Sequence, residues 1–267
     1  MTTSTQAESG TEVLFERRGR IGLVTLNRPE ARNALNRATL LTLHHWLDVA
    51  EADDEVGVVV LTGNGPAFCA GADLKETSQG IESGDFESRF ARANESLRLH
   101  TRLPRYGKPV IAAVSGYALA GGCGLALSCD IVIAEEGATF GFPEVRRGLV
   151  PAMVMVNLSR QLAKQRALDL LLTGRRFGAA EGRDLGLVLK TVPDGTVREA
   201  AIEYADAIAA HPAIALRFTK DLFRRVWDLE YDLALEQARD VNQLMRQTRS
   251  AGEGAKAFAE QSKEQHS

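Results

Sequence analysis

The sequence predicts an α/β chain, a parallel-sheet core followed by a run of helices. Three observations carry that. Residues 56–61 and 110–115 are continuous apolar runs rich in β-branched side chains, the pattern of strands buried on both faces. Segments of helical length and periodicity separate such runs. From residue 196 onward every periodic segment is helical. The chain has 267 residues, 45% of them apolar, enough for a large core.

In chain order, residues 1–11 are polar and are expected to be disordered. They lack the apolar stretch of a signal peptide. Residues 12–18 and 21–26 predict two strands of a hairpin, and Pro29 marks the turn-rich loop that follows. Asn36 is an N-cap for a helix to about residue 52, with Leu40, Leu43, Leu47 and Ala50 at helical spacing. The strand at 56–61 runs into a small-residue loop, 62–76. Residues 77–84 are polar and glycine-containing and are expected to be mobile. A helix is predicted over 85–103, closed by Pro104. A strand at 110–115, a helix at 121–128 and a strand at 130–134 follow. One or two helices span 152–172, split near Ala163-Lys164. A short helix at 179–186 and a strand at 188–192 end the core, placed at 12–195. The C-terminal region, 196–267, reads as helices at 196–210, 213–229, 231–248 and 253–264.

Composition excludes several functions. A net charge of −3 without a basic stripe gives no case for nucleic acid or an anionic membrane, and no apolar run is long enough to span one. Cys69, Cys123 and Cys129 lack metal-ligand spacing and read as buried, reduced thiols of a cytoplasmic protein. His44, His45, His100, His211 and His266 form no metal box and read as structural or surface residues. No cofactor is expected.

The stretch 110–148 concentrates the chemistry. A buried strand breaks on glycines, resumes as a helix and ends in a loop bearing Glu144. Gly121, Gly122 and Gly124 fit neither a phosphate-binding loop nor a dinucleotide fingerprint. Ser115-Gly116 lacks a nucleophile elbow. Two readings of the glycines remain, close helix packing or backbone N–H groups facing a ligand. The loops 69–74 and 120–124 both follow strands and both offer small residues. Donors from the two could converge on one oxygen, each worth about 3 kcal/mol to a developing oxyanion. Glu144, flanked by Phe142, Pro143 and Val145, is a candidate proton carrier with a raised pKa. Asp73 and Asp130 read as structural caps. Arg28, Arg32 and Lys75 read either as phosphate contacts or as solvated surface charges.

Ala67-Phe-Cys-Ala-Gly-Ala-Asp-Leu-Lys-Glu76, Gly116-Tyr-Ala-Leu-Ala-Gly-Gly-Cys123 and Cys129-Asp-Ile-Val-Ile-Ala134 closely resemble the crotonase (enoyl-CoA hydratase/isomerase) superfamily. Asn33-Ala-Leu-Asn36, Phe140-Gly-Phe-Pro-Glu144 and Leu172-Thr-Gly-Arg175 add to the match, which covers about residues 12–262. The resemblance implies a fold of repeated ββα units with a helical C-terminal region used for trimerisation, as a homotrimer or dimer of trimers. It implies a coenzyme A thioester as substrate, with coenzyme A present only as part of that substrate. The N–H groups of Ala72 and Gly121 would hold the thioester carbonyl oxygen and Glu144 would move the proton. Ala31, Arg32, Ala70, Ala72, Asp73, Leu74, Gly121, Gly122 and Phe258 would contact the CoA ester.

One departure from the pattern matters most. Hydratases of the superfamily place two glutamates on the substrate, and the second belongs where this chain has Gly124. No other acid lies in 121–129. The stretch 151–156, Pro-Ala-Met-Val-Met-Val, is bulkier and more apolar than the family's glycine-rich counterpart, and Met153 and Met155 read either as pocket wall or as helix core. The C-terminal motif has Gln261 where a basic residue is common, leaving Lys256 and Lys263 as stand-ins. A lone glutamate favours double-bond isomerisation or related enolate chemistry over ordinary hydration. The alternatives are hydration by another water-activating group and a non-catalytic acyl-CoA binder.

Overall fold

A computed structural model of the chain describes residues 12–82, 84–249 and 251–252. Its strands and helices fall into repeats. The first is β1 (Val13–Arg18), β2 (Ile21–Leu26) and α1 (Arg37–Ala52). The second is β3 (Val58–Gly63), β4 (Ala67–Cys69), α2 (Leu74–Glu82) and α3 (Phe86–Arg105). The third is β5 (Val110–Val114), β6 (Tyr117–Leu119) and α4 (Gly121–Ser128). Then come β7 (Ile131–Glu135), β8 (Thr139–Gly141), α5 (Ala152–Gln161) and α6 (Lys164–Thr173). β9 (Arg176–Gly178), α7 (Ala179–Asp184), β10 (Lys190–Val192) and α8 (Val197–Ala209) complete the first compact unit, which ends at Ala209.

The repeats build two sheets. The larger has the order β1-β2-β3-β5-β7-β10 and is parallel except for the β1–β2 hairpin. The smaller has the order β4-β6-β8-β9, with β4, β6 and β8 parallel. The second to fourth repeats thus send a long strand to the large sheet and a three-residue strand to the small one. The large sheet is buried on both faces, as its apolar runs predict. Val59, Leu61, Val110, Ala112 and Val114 join the core beneath α1, α3 and α4. The alternate residues Ile21, Leu23, Val58, Val60, Ile111 and Ala113 pack against α8.

Four features differ from the sequence reading. The strands β4, β6, β8 and β9 are new; three residues are too few to show a period. Residues expected in a mobile loop form α2, whose first turn is capped by Asp73 Oδ1 accepting from the N–H groups of Lys75 (3.1 Å) and Glu76 (3.4 Å). Pro104 lies inside the last turn of α3, which continues to Arg105. The first unit extends past 195 to include α8, because Val197, Ala201, Ala205 and Ala209 form an i, i+4 stripe buried against the large sheet.

The second compact unit begins at Ala210 and contains α9 (Ala213–Val226) and α10 (Tyr231–Arg246), helices as the sequence predicts. The predicted helix over 253–264, together with Phe258, Lys256, Gln261 and Lys263, lies outside the described residues, as do residues 1–11.

Asn33 ties the substrate-side turn to the sheets. It sits at φ 55°, a left-handed conformation that asparagine tolerates better than most residues, and it is fully buried. Its Nδ2 donates to the carbonyls of Asn64 (2.9 Å) and Ala67 (2.7 Å), and its Oδ1 accepts from the Arg28 N–H (2.8 Å). Asn33→Ala strands the buried Ala67 carbonyl and the Arg28 amide. It is expected to lower the unfolding free energy by about 3 kcal/mol, read by urea denaturation.

Candidate active site

The site forms where three neighbouring parallel strands, β4, β6 and β8, deliver their downstream residues to one end of the small sheet. After β4 the chain turns through Gly71 at φ 94°. Leu35 pins both sides of Ala72, donating to the Gly71 carbonyl (2.7 Å) and accepting from the Asp73 N–H (3.2 Å). The Ala72 N–H itself has no backbone acceptor among the described residues. After β6, Ala120 adopts φ 51°, ψ −126°, rare for a residue with a Cβ, and its N–H donates to the Gly141 carbonyl of β8 (2.8 Å). Gly121 opens α4, so its N–H can have no partner within the helix.

The two segments touch. A Cβ built on Gly121 would lie 3.8 Å from Gly71 Cα and 3.9 Å from the Ala72 nitrogen. A Cβ on Gly122 would come 2.1 Å from the Cys69 carbonyl oxygen. The donors therefore follow strands of the small sheet rather than the long strands to which the sequence assigned them.

The third strand, β8, leads into a 3-10 helix, Pro143–Arg147, anchored by the fully buried Phe142. Glu144 lies in its first turn. Its Oε2 is buried and has no hydrogen-bond partner among the described residues. Burial pushes its pKa above the usual carboxylate range, opposed in part by its own backbone N–H and the Arg147 charge.

These pieces surround a cavity of about 230 Å³. Ala70, Ala72, Leu74, Gly121 and Glu144 line it. Ser96 and His100 of α3 and the stretch 149–154 complete the wall.

The sequence of residues 16–267 matches the family model described as enoyl-CoA hydratase/isomerase. The chain belongs to the enoyl-CoA hydratase/isomerase family. It is 41% identical over 243 residues to a putative enoyl-CoA hydratase of Thermus thermophilus, covering 91% of this chain and 96% of that one. It is 38% identical over 249 residues to the 2,3-dehydroadipyl-CoA hydratase of Escherichia coli, covering 92% and 95%. An enoyl-CoA hydratase structure from Polaromonas superposes with a TM-score of 0.90 at 31% identity, over 93% of this chain and 97% of that one. One from Bacillus anthracis gives 0.89 at 32% identity, over 94% and 96%. The protein is thus a crotonase-fold enzyme acting on CoA thioesters.

Within this family's frame, the cavity brings together Ala70, Ala72, Leu74, Gly121 and Glu144. Ala31 and Arg32 stand beside it, since the Ala70 N–H donates to the Arg32 carbonyl (3.0 Å). Gly122 and Asp73 do not line it. Gly122 is consumed by its contact with Cys69. Asp73 Oδ2 accepts from Arg28 Nη1 (3.0 Å). Burial raises the Asp73 pKa, but the Arg28 guanidinium and the capped N–H groups outweigh it and hold the carboxyl below its usual range. Arg28 Nη1 donates to Asp73 Oδ2 and to the Ala34 carbonyl (2.7 Å). Arg32 and Lys75 remain exposed. Asp130 Oδ2 accepts from the Val110 N–H (2.7 Å), a structural role as expected. Met153 lines the cavity, while Met155 packs on the core.

The sequence left open what fills the space beside Gly124. A Cβ there would meet Val154 Cγ1 at 2.3 Å and His100 Nε2 at 2.9 Å. A side chain at 124 would therefore have to displace Val154 and His100. His100 is the cavity residue that the sequence reading passed over. Its only sequence signal is its place one turn after Ser96 and two after Arg92 on α3, a face that nothing local marks as facing the site.

Gly124→Ala is expected to destabilise the protein by about 1–3 kcal/mol through overpacking. Adding Val154→Ala, which removes the nearest obstructing methyl, should recover most of that loss. A double-mutant cycle in thermal unfolding measures the coupling.

Proposed function

We propose that the protein forms and quenches an enolate of an enoyl-CoA thioester, with Glu144 as the one carboxylate that moves the proton. The thioester oxygen accepts from the N–H groups of Ala72 and Gly121. The adenine and pantetheine run along Ala31, Arg32 and residues 70–74. One observation supports this reading above the rest: Glu144, whose Oε2 is buried without a partner among the described residues, lines the same cavity as Ala72 and Gly121, adjacent residues whose N–H groups have no backbone acceptor among the described residues. Removing a proton beside a thioester carbonyl builds charge on its oxygen, and preorganised N–H donors stabilise that charge without rearranging. A carboxyl whose pKa is raised by burial holds a proton more readily and can take it and return it.

One carboxylate suffices for moving a double bond, where the same base serves two carbons. Hydration needs a further group to hold the water. A non-catalytic acyl-CoA binder is disfavoured, because an unpartnered buried carboxyl costs stability and contributes nothing to holding a thioester.

Glu144→Gln should lower turnover of 2-enoyl- and 3-enoyl-CoA esters by about a thousandfold while leaving their dissociation constants nearly unchanged. The thermal stability of the same variant relative to the unaltered protein should grow as pH rises above the ordinary carboxylate range. A carboxyl whose folded pKa is raised opposes folding once ionised, so its stability contribution is lost as pH rises through that pKa. Full activity in the variant would overturn the assignment.

The expected trimer or dimer of trimers belongs to the same proposal. Phe223 and Trp227 of α9 and Tyr231, Leu235 and Leu244 of α10 are exposed on the single chain, an arrangement suited to burial between copies. Light scattering should give the mass of three or six chains, and a monomer would refute it.

A further inference from the structure

We propose that His100 is the second polar group of the reaction, its Nε2 holding the water that Glu144 activates, so that the pocket hydrates an enoyl-CoA with one carboxylate and one imidazole. The proposal rests on the enolate reading of Glu144 above.

Among the described residues, two buried side-chain polar atoms without a partner belong to residues lining this cavity, Glu144 Oε2 and His100 Nε2. The His100 ring is nearly enclosed, at 6% exposure. Its Nδ1 lies 2.8 Å from the Ser96 carbonyl oxygen. A carbonyl only accepts, so Nδ1 carries the hydrogen and the neutral ring presents a lone pair at Nε2. Burial disfavours the imidazolium, though the Ser96 carbonyl opposes that effect, and the net shift is downward. Nε2 is therefore an acceptor with no donor to accept from.

Its position fits the task. Nε2 would lie 2.9 Å from a Cβ at Gly124, the place from which the family's second glutamate would project. The imidazole stands in space that this carboxylate would need. A side chain kept there only for packing would not need the polar atom, since leucine fills such space without leaving a lone pair unpaired.

The step balances without charging the ring. The water donates one hydrogen to Nε2 and the other to the Glu144 carboxylate. Its oxygen bonds to C3 as the second O–H breaks and that proton passes to Glu144. The C2=C3 π pair moves toward C2 and the thioester oxygen, held by the Ala72 and Gly121 amides. Glu144 then returns the proton to C2 and the carbonyl re-forms. The first O–H stays intact, bonded to Nε2, and becomes the product hydroxyl.

The test uses the full chain with His100→Leu, which removes the acceptor, and His100→Gln, whose Oε1 restores one. Two reactions are followed, hydration of 2-enoyl-CoA esters of short and medium length, and Glu144-dependent exchange of the C2 hydrogens of the matching saturated acyl-CoA in D2O. Exchange needs the enolate but no attacking water. In His100→Leu, the hydration kcat should fall about a hundredfold, with KM and exchange nearly unchanged, and His100→Gln should recover at least about tenfold of it. Unchanged hydration in His100→Leu, an equal loss of hydration and exchange, or no recovery with glutamine would overturn the proposal. Exchange without hydration in the unaltered protein would also overturn it, leaving the role of Glu144 intact. Exchange that survives Glu144→Gln would instead remove Glu144 as the proton carrier, and with it the reading on which this proposal rests.

Discussion

The contact on which the site depends is between two stretches of backbone. The first turn of α4 presses on the end of β4 so closely that any side chain at Gly122 would run into the Cys69 carbonyl. That approach brings Gly71 and Ala72 against Ala120 and Gly121, and it requires unusual dihedrals on both sides, positive φ at Gly71 and at Ala120. Ala120 holds such a conformation only because its neighbours determine it, its N–H being fixed to Gly141 on β8. The strain is therefore borne by the segment that aims Gly121. The same β8 then carries the chain to Glu144. Three short parallel strands thus place two amides and a carboxylate without any of them lying near another in sequence.

What the sequence made legible follows from length and from chemistry. The long strands could be read because continuous β-branched runs have few other uses, and their burial on both faces agrees with that reading. The Asn36 cap could be read because asparagine before a periodic helix has a local purpose, and its side chain does accept from the Thr39 N–H at 2.7 Å. The short strands of the second sheet could not, since their register comes from neighbours far along the chain. α8 was assigned to the wrong unit because a stripe of alanines says that a helix is packed, not against what. At the site, Glu144 was legible from its apolar flanks and Gly124 from its departure from a pattern. His100 was not, because it reaches Gly124 from a helix 21 residues upstream of Gly121, and no local rule links the two.

Partnering separates the charged groups of this unit into two classes. Asp73 is held by Arg28 and by the amides of α2. Arg175 bonds Asp169 (2.7 Å) and Glu181 (2.6 Å), and this pairing holds the Glu181 carboxyl below its usual range. The polar atoms of such groups are already partnered. Glu144 and His100 are the reverse case, each pushed toward its neutral form by burial and each with a buried polar atom that has no partner among the described residues. A protein selected for stability alone would pair or remove both atoms.

That contrast bears on why a second glutamate would not suit this pocket. Two carboxylates in one apolar cavity repel, so that one of them is driven to hold a proton. A neutral imidazole offers an acceptor lone pair with no such repulsion, and its tautomer is set in advance by the Ser96 carbonyl. Val154 closes the position from the other side, contacting the space over Gly124 more tightly than His100 does. A glutamate introduced at 124 by itself would have to displace Val154 before reaching the substrate. Val154 and the imidazole thus together fill the space that a side chain at 124 would take.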